Sequence, residues 1–240
     1  MKNLERWETS SSNWKRKVMR GENDTFLKYF IHEPNPGAPF TLVAYRIHRH
    51  EDKAKNVIGK SLDDVISSSK PQNIIFVPVG SHKTDIDLNW SFDTEDPEVV
   101  LWKNLLNSLP IDRAIMIHHD YELKNEEVYG YVQLPENAPF PIDWKNFMES
   151  LAPSGVVPFN GIDDKDKPAL RNEVVDGLVI CHPEEKLKGN LENFIVQMGA
   201  KYAITFELPD GLNEAQYYDL LIKVFTGLLI MYNTNEKETK

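Results

Sequence analysis

Residues 39–51 read PFTLVAYRIHRHE, a largely apolar run that ends in a cluster of polar, chargeable side chains. A short apolar run rich in β-branched and aromatic residues predicts a buried β-strand, here over residues 40–47. Two more runs have the same form, AIMI before His118 and YAITF before Glu207. The sequence therefore predicts three buried strands, each of which ends in a polar residue.

These strands alternate with segments of helical periodicity. Residues 96–109 carry the clearest helix signals, because Asp96 precedes Pro97 at the first helical position and Pro110 follows the end. Alternation of strand and helix favours a largely parallel sheet covered by helices on both faces. The predicted strands are 40–47, 73–79, 113–118, 128–132 and 202–207, and the predicted helices are 54–66, 96–109, 144–151, 191–198 and about 213–231.

The length of 240 residues and the hydrophobic content of 41% are sufficient for one full core, and we expect a single α/β domain over residues 1–240. Residues 1–25 are interpreted as an N-terminal extension and residues 233–240 as a flexible tail. Residues 135–188 are the least regular region. They fit equally a loop that covers a substrate and a solvated excursion.

Composition excludes several classes of protein. The net charge is −10 with scattered Lys and Arg, so we expect neither a nucleic-acid partner nor binding to an anionic membrane. Cys181 is the only cysteine, which excludes an intramolecular disulfide and a zinc site built from several cysteines of one chain. The N-terminal sequence lacks the apolar region of a signal peptide, and the default compartment is the cytoplasm.

The polar residues at the strand ends suggest a metal site. His48 and Glu51 are three residues apart and could chelate one ion, while His118 and Glu207 follow two other strands. Open α/β sheets place ligands at the carboxyl ends of their strands, so these side chains are expected to converge. Catalytic zinc sites can have two imidazoles and one carboxylate as their protein ligands. The second carboxylate would then be available for another role in the site.

The order of these residues resembles the signature of the zinc carboxypeptidase superfamily. That superfamily also includes murein tripeptide amidases and the succinylglutamate desuccinylase and aspartoacylase enzymes. The resemblance spans roughly residues 40–230. It is carried by His48-x-x-Glu51, Asp87-Leu-Asn89, Ile117-His118 and Thr205-Phe-Glu207.

This resemblance implies an α/β/α sandwich around a mixed, mostly parallel sheet of about eight strands. It also implies one zinc ion held by His48, Glu51 and His118, with Glu207 as the catalytic acid/base. Asn89 matches a position that contacts substrate. His119 directly follows His118 and is the alternative third ligand.

The chain departs from the family pattern at Trp90. The family has an Arg after Asp-Leu-Asn, which recognises the carboxylate of the substrate, whereas Trp cannot form a bidentate, charge-assisted hydrogen bond. Activity on ordinary free C-termini is therefore in question, and Asn89 and Trp90 become the expected substrate-binding pair. The cations that could replace the Arg are Arg49, Lys83, His82 and Arg171.

Two functional hypotheses follow. The first is a zinc-dependent hydrolase that cleaves an amide bond in a small peptide, a cell-wall-derived peptide or an N-acyl amino acid. The second is a non-catalytic or altered relative that binds a metal or ligand in a regulatory role. In the first, Asp120 could also orient a ligand histidine. The oligomeric state is left open by the sequence.

Overall fold

The computed structural model describes residues 13–45, 54–69, 72–80, 92, 94–120, 123, 126–163, 172–181 and 190–231. Its strands are β1 (Lys15–Arg20), β2 (Phe26–His32), β3 (Phe40–Tyr45), β4 (Ile74–Gly80), β5 (Ile111–Asp120), β6 (Glu127–Gln133), β7 (Val157–Pro158), β8 (Gly161–Ile162), β9 (Glu173–Val174), β10 (Leu178–Cys181) and β11 (Tyr202–Pro209). Its helices are α1 (Ile58–Ser68), α2 (Pro97–Ser108), α3 (Trp144–Leu151), α4 (Leu191–Gln197) and α5 (Glu214–Thr226).

Within these ranges, nine strands form one sheet: eight follow the order β1-β2-β4-β3-β5-β11-β6-β10, and the ninth, β7, pairs in parallel with β6. The pairs β4-β3, β3-β5, β5-β11 and β6-β10 are parallel. The pairs β1-β2, β2-β4 and β11-β6 are antiparallel. The predicted mixed, mostly parallel sheet of about eight strands is confirmed. Strands β8 and β9 form a separate small hairpin.

Helices cover both faces of the sheet, and each face has its own apolar core. Alternate residues of the central strands point to opposite faces, as the two-residue period of a strand requires. Ile115 and Ile117 of β5 lie in the core under α1, α3 and α5, whereas Ala114 and Met116 lie in the core under α2 and α4. The α/β/α arrangement predicted from the alternation of strands and helices is therefore present.

The residues that predicted the start of α2 have the expected roles in the structure. The side chain of Asp96 accepts a hydrogen bond from the amide of Glu98 at 2.8 Å, and Pro97 is the first helical residue. The last helix also begins with a side-chain cap, because Asn213 and Gln216 form a capping box. It changes to a π-helical turn at Gly227–Met231. No helix in the ranges given above has the length and apolar character needed to cross a membrane.

Three parts of the fold were not predicted, and the first of them is the strand β2 (Phe26–His32). Residues 15–20, within the segment interpreted as an N-terminal extension, form the edge strand β1. The sequence of β1, KRKVMR, carries charges on both faces and lacks the alternation that marks a half-buried strand. In the described part of residues 135–188, the predicted helix 144–151 is present as α3, whereas a 3₁₀ turn at Ala152–Ser154 and the short strands β7 to β10 were not predicted.

A single glycine in β6 allows α3 to approach the sheet. A Cβ atom added to Gly130 would lie 2.6 Å from Cη2 and 3.1 Å from Cζ2 of Trp144. Trp144 is buried and its indole nitrogen donates to the carbonyl of Asp176 at 3.2 Å, so the ring has little freedom to move. The absence of a side chain at Gly130 is thus a packing requirement.

We expect Gly130→Ala to lower the free energy of unfolding by about 1–3 kcal/mol, the usual cost of overpacking a core. Urea denaturation measures this loss. Trp144→Phe removes both clashing atoms, so Gly130→Ala should cost less in the Trp144→Phe background than in the parent. Equal costs in the two backgrounds would contradict the packing explanation.

Candidate active site

Strand pairing brings His118 and Glu207 together. They are direct partners in the parallel pair of β5 and β11, and their side chains project to the same face. Both residues are buried, at 2% and 8% exposure, and Nδ1 of His118 lies 3.7 Å from Oε1 of Glu207. This distance is too long for a hydrogen bond between those two atoms. It places an imidazole and a carboxylate side by side at the carboxyl end of the sheet.

His119 points to the opposite face of the sheet. Its ring makes edge contacts with the rings of Tyr45 and Tyr217, with centres 6.0 Å and 5.2 Å apart. Both tyrosines belong to the core beneath α5. The two adjacent histidines therefore differ in their surroundings, because successive strand residues alternate between faces. His118 is the one that faces Glu207.

Tyr129 flanks Glu207 on its other side. The two residues are direct partners in the antiparallel pair of β11 and β6. The hydroxyl of Tyr129 donates to Oδ2 of Asp120 at 2.9 Å. Asp120, which the sequence suggested as a carboxylate that orients a ligand histidine, thus accepts a hydrogen bond from a phenol. Tyr129 links the strands on either side of β11.

The surroundings of Tyr129 keep its hydroxyl protonated. Desolvation by burial is the largest cause that raises the pKa of Tyr129 above its ordinary value of 10.0. The negative charges of Glu207 and Asp120, the hydrogen bond to Asp120 and the charge of Asp163 raise it further. Asp163 is itself buried and accepts a hydrogen bond from the amide of Asn172 at 2.7 Å. Tyr129 is therefore a neutral hydrogen-bond donor throughout the neutral pH range.

A buried polar pair lies below Glu207 on the same strand face. The hydroxyl of Thr205 donates to the carboxylate of Glu192, which lies in the first turn of α4. Glu192 is 7% exposed. Glu192 was not predicted as a site residue, because an acidic residue at the start of a helix is usually solvated and interacts favourably with the helix dipole. The only available signal was a polar residue, Thr205, at an inward-facing position of an apolar strand.

Residues of the irregular region cover Tyr129. A small apolar cluster, here called the satellite cluster, is separate from the two main cores. It contains ring contacts between Tyr129 and Tyr131, with centres 5.4 Å apart, and between Tyr129 and Phe159, with centres 5.5 Å apart. Its buried members are Leu123, Tyr129, Val174 and Val179. Phe159, Val174 and Val179 of the irregular region are therefore packed against this end of the sheet.

The other predicted site residues lie outside the residues that the structure describes. These are the predicted ligands His48 and Glu51, the predicted substrate contacts Asn89 and Trp90, and the substitute cations Arg49, Lys83, His82 and Arg171. In the described part of the chain, no three His, Cys, Asp or Glu side chains form a group that could hold a metal. What that part supplies is an imidazole and a carboxylate, donors that suit zinc. An imidazole at this position is compatible with the prediction that His118 is a zinc ligand, and the other two predicted ligands lie outside the described residues.

Solved structures with a similar fold include metallo-carboxypeptidases. A protein assigned as a metallopeptidase from Shewanella amazonensis has a TM-score of 0.67 at 16% identity, covering 96% of this chain and 89% of its own. A metallo-carboxypeptidase from Burkholderia cenocepacia has a TM-score of 0.64 at 15% identity, covering 97% and 68%. One from Pseudomonas aeruginosa, in complex with (2-guanidinoethylmercapto)succinic acid, has a TM-score of 0.61 at 16% identity, covering 98% and 68%.

These likenesses establish that the chain has the fold of the metallo-carboxypeptidases. The predicted resemblance to the zinc carboxypeptidase superfamily is thus confirmed at the level of the fold. No protein-family model matches the sequence, and the search of curated proteins found no match. The chemistry of the site must therefore be argued from its own residues.

The raised pKa of Tyr129 predicts a loss of stability at alkaline pH. In the unfolded chain its phenol ionises near pH 10, whereas in the folded protein it stays protonated, so ionisation favours unfolding above pH 10. One such group lowers the free energy of unfolding by up to about 1.4 kcal/mol per pH unit in that range.

We expect Tyr129→Phe to lose stability less steeply than the parent between about pH 10 and pH 11, because the substituted residue cannot ionise. Urea denaturation at several pH values measures both slopes. A series at about pH 8, where the phenol is protonated in both states, supplies the baseline. Parallel slopes in the two proteins would show that Tyr129 ionises normally in the folded state.

Proposed function

We propose that this protein is a zinc-dependent hydrolase of the metallo-carboxypeptidase type, which cleaves an amide bond in a small peptide, a cell-wall-derived peptide or an N-acyl amino acid. The proposal rests on one observation. Glu207 and His118 lie side by side on one face of the sheet, with 3.7 Å between Oε1 of Glu207 and Nδ1 of His118. The fold shared with metallo-carboxypeptidases supports the proposal. His48, Glu51 and His118 are the proposed ligands of one zinc ion.

The surroundings of the two histidines favour His118 as the third ligand. His118 faces the carboxylate of Glu207 at the carboxyl end of the sheet, where α/β proteins bind their ligands. His119 instead packs its ring between two tyrosines in the opposite core. A ligand role for His119 would require the metal to lie among apolar side chains.

Glu207 is proposed as the general acid/base. A zinc ion with three protein ligands would keep one position for water and lower the pKa of that water to about 7. The carboxylate of Glu207 would accept a proton from the attacking water and return it to the nitrogen of the leaving amine. Its burial limits contact with bulk water, and its position beside His118 puts the carboxylate next to one of the proposed metal ligands.

The proposed substrate contacts are Asn89 and Trp90. The resemblance implies an Arg at the position of Trp90. An indole cannot form the two charge-assisted hydrogen bonds by which an Arg binds a carboxylate. We therefore expect a preference for substrates with an apolar or stacking group, or with a carboxylate held by another cation. Fast, broad release of C-terminal residues from unmodified peptides would contradict this preference.

The experiment that tests the proposal combines a metal analysis of the purified protein with a hydrolysis panel of peptides, cell-wall-derived peptides and N-acyl amino acids. A hydrolase should contain zinc at about one ion per chain and cleave at least one class. Zinc without hydrolysis would instead favour the second hypothesis, a regulatory or ligand-binding relative.

The metal assignment predicts different results for the two adjacent histidines. His118→Ala should remove most of the zinc, because one of three protein ligands is lost. His119→Ala is the matched control, since it removes an imidazole from the neighbouring position on the other face. Zinc content after gel filtration, measured by mass spectrometry, distinguishes the two variants. Loss of zinc in His119→Ala with retention in His118→Ala would reverse the assignment.

The assignment of Glu207 predicts a loss of turnover without a loss of metal. Glu207→Gln is nearly isosteric but cannot accept the proton, so kcat should fall by about 10²-fold or more. Zinc content and the thermal unfolding midpoint should stay near those of the parent. Near-parental turnover, or loss of zinc together with activity, would mean that Glu207 has another role.

A further inference from the structure

Glu207 is enclosed by neighbours from both adjoining strands. On one side, its direct partner on β5 is His118. On the other side, its direct partner on β6 is Tyr129. Direct partners on neighbouring strands carry side chains on the same face, and the two strands lie about 4.8 Å apart. The carboxylate of Glu207 therefore lies between an imidazole and a phenol ring.

The phenol ring also crosses the end of β11. Its hydroxyl reaches Asp120 on β5, and Asp120 is the direct partner of Pro209, two residues beyond Glu207. Neighbouring strands are about 4.8 Å apart, so β6 and β5 are separated by about twice that distance. A tyrosine that spans this gap must lie over β11, on the carboxyl-end side of Glu207. The ring thus lies on the carboxyl-end side of Glu207, on the face of the sheet that Glu207 shares with His118.

Both the hydroxyl and the ring of Tyr129 are fixed by contacts with neighbouring residues. The hydroxyl is bound by Asp120, and the ring is packed in the satellite cluster against Tyr131 and Phe159. Tyr129 is 3% exposed. Fixing a glutamate in one rotamer costs up to about 2 kcal/mol of side-chain entropy, so Glu207 keeps a single position only where packed neighbours restrict its other rotamers.

We infer that the hydrogen-bonded pair Tyr129–Asp120 is a positioning element, which holds the carboxylate of Glu207 beside His118. The inference rests on the role of Glu207 in the proposed function. Neither residue is assigned contact with the substrate. Their effect passes through Glu207, and a proton-transfer group displaced by even about 1 Å loses much of its efficiency.

Crystal structures of the parent, Tyr129→Phe and Asp120→Ala test the inference directly, because the position of a side chain is read without a substrate. Glu207 should occupy one position in the parent, with its carboxylate within about 4 Å of His118, the range of a paired charge. In both variants it should shift or divide between rotamers. Asp120→Asn keeps a hydrogen-bond acceptor and should restore the parental position.

Tyr217→Phe is the matched control. It removes another buried tyrosine hydroxyl at the end of β11, one that donates to the carbonyl of Pro209 at 2.7 Å from the opposite face. We expect a comparable loss of thermal stability in Tyr217→Phe and Tyr129→Phe, but movement of Glu207 only in the latter. Movement of Glu207 in both variants would mean a general structural effect and would overturn the inference.

Kinetics supply the second readout, on any substrate that the parent cleaves in the hydrolysis panel. Tyr129→Phe should lower kcat about tenfold and leave KM within about twofold, the signature of a loss confined to the transition state. The double variant Tyr129→Phe with Asp120→Ala should be no worse than the more impaired single variant, since both remove one hydrogen bond. Additive losses, or a change in KM alone, would overturn the inference.

The two proposals can fail separately. If Glu207 keeps its parental position in Tyr129→Phe and in Asp120→Ala, the positioning role is wrong, whatever the enzyme cleaves. If Glu207 moves as expected but the parent contains no zinc and cleaves no amide, the positioning role stands and the proposed hydrolase function is wrong.

Discussion

The candidate site depends on the register of one strand, β11, which pairs in parallel with β5 and antiparallel with β6. This double pairing aligns His118, Glu207 and Tyr129 in a row across three strands. A slip of one residue in either pair would send a side chain to the other face, because the period of a strand is two. Hydrophobic burial fixes the register, since Ile204 and Phe206 must face one core while Ala203 faces the other.

Much of the fold could be predicted from the sequence, because its central elements carry strong local signals. The apolar runs before His118 and Glu207 predicted the two central strands. The capping residue Asp96, followed by Pro97, predicted the first residue of α2. The edge strand β1 could not be predicted, because an exposed strand with charges on both faces has no hydrophobic period. Its strand conformation depends on pairing with β2.

The site was predictable only in part, for a related reason. The continuous apolar run of β5 indicates a strand buried on both faces, so it does not reveal which of His118 and His119 faces the site. Their surroundings depend on helices packed from distant parts of the chain. The same holds for Asp163 and Glu192, whose burial is decided by tertiary contacts and not by their neighbours in sequence. The predicted ligands His48 and Glu51 lie outside the described residues and remain predictions.

The position of β11 also has a consequence for the order of folding. This strand lies in the middle of the sheet, yet it is the last of the strands along the described part of the chain. His118 and Glu207 are about 90 residues apart in sequence, so the centre of the sheet closes through a contact of high sequence separation. During synthesis, β5 and β6 leave the ribosome well before β11 and expose the two edges that it will join. Unpaired apolar edges of this kind promote association between chains, so the nascent protein is most vulnerable to aggregation before its last strand is in place.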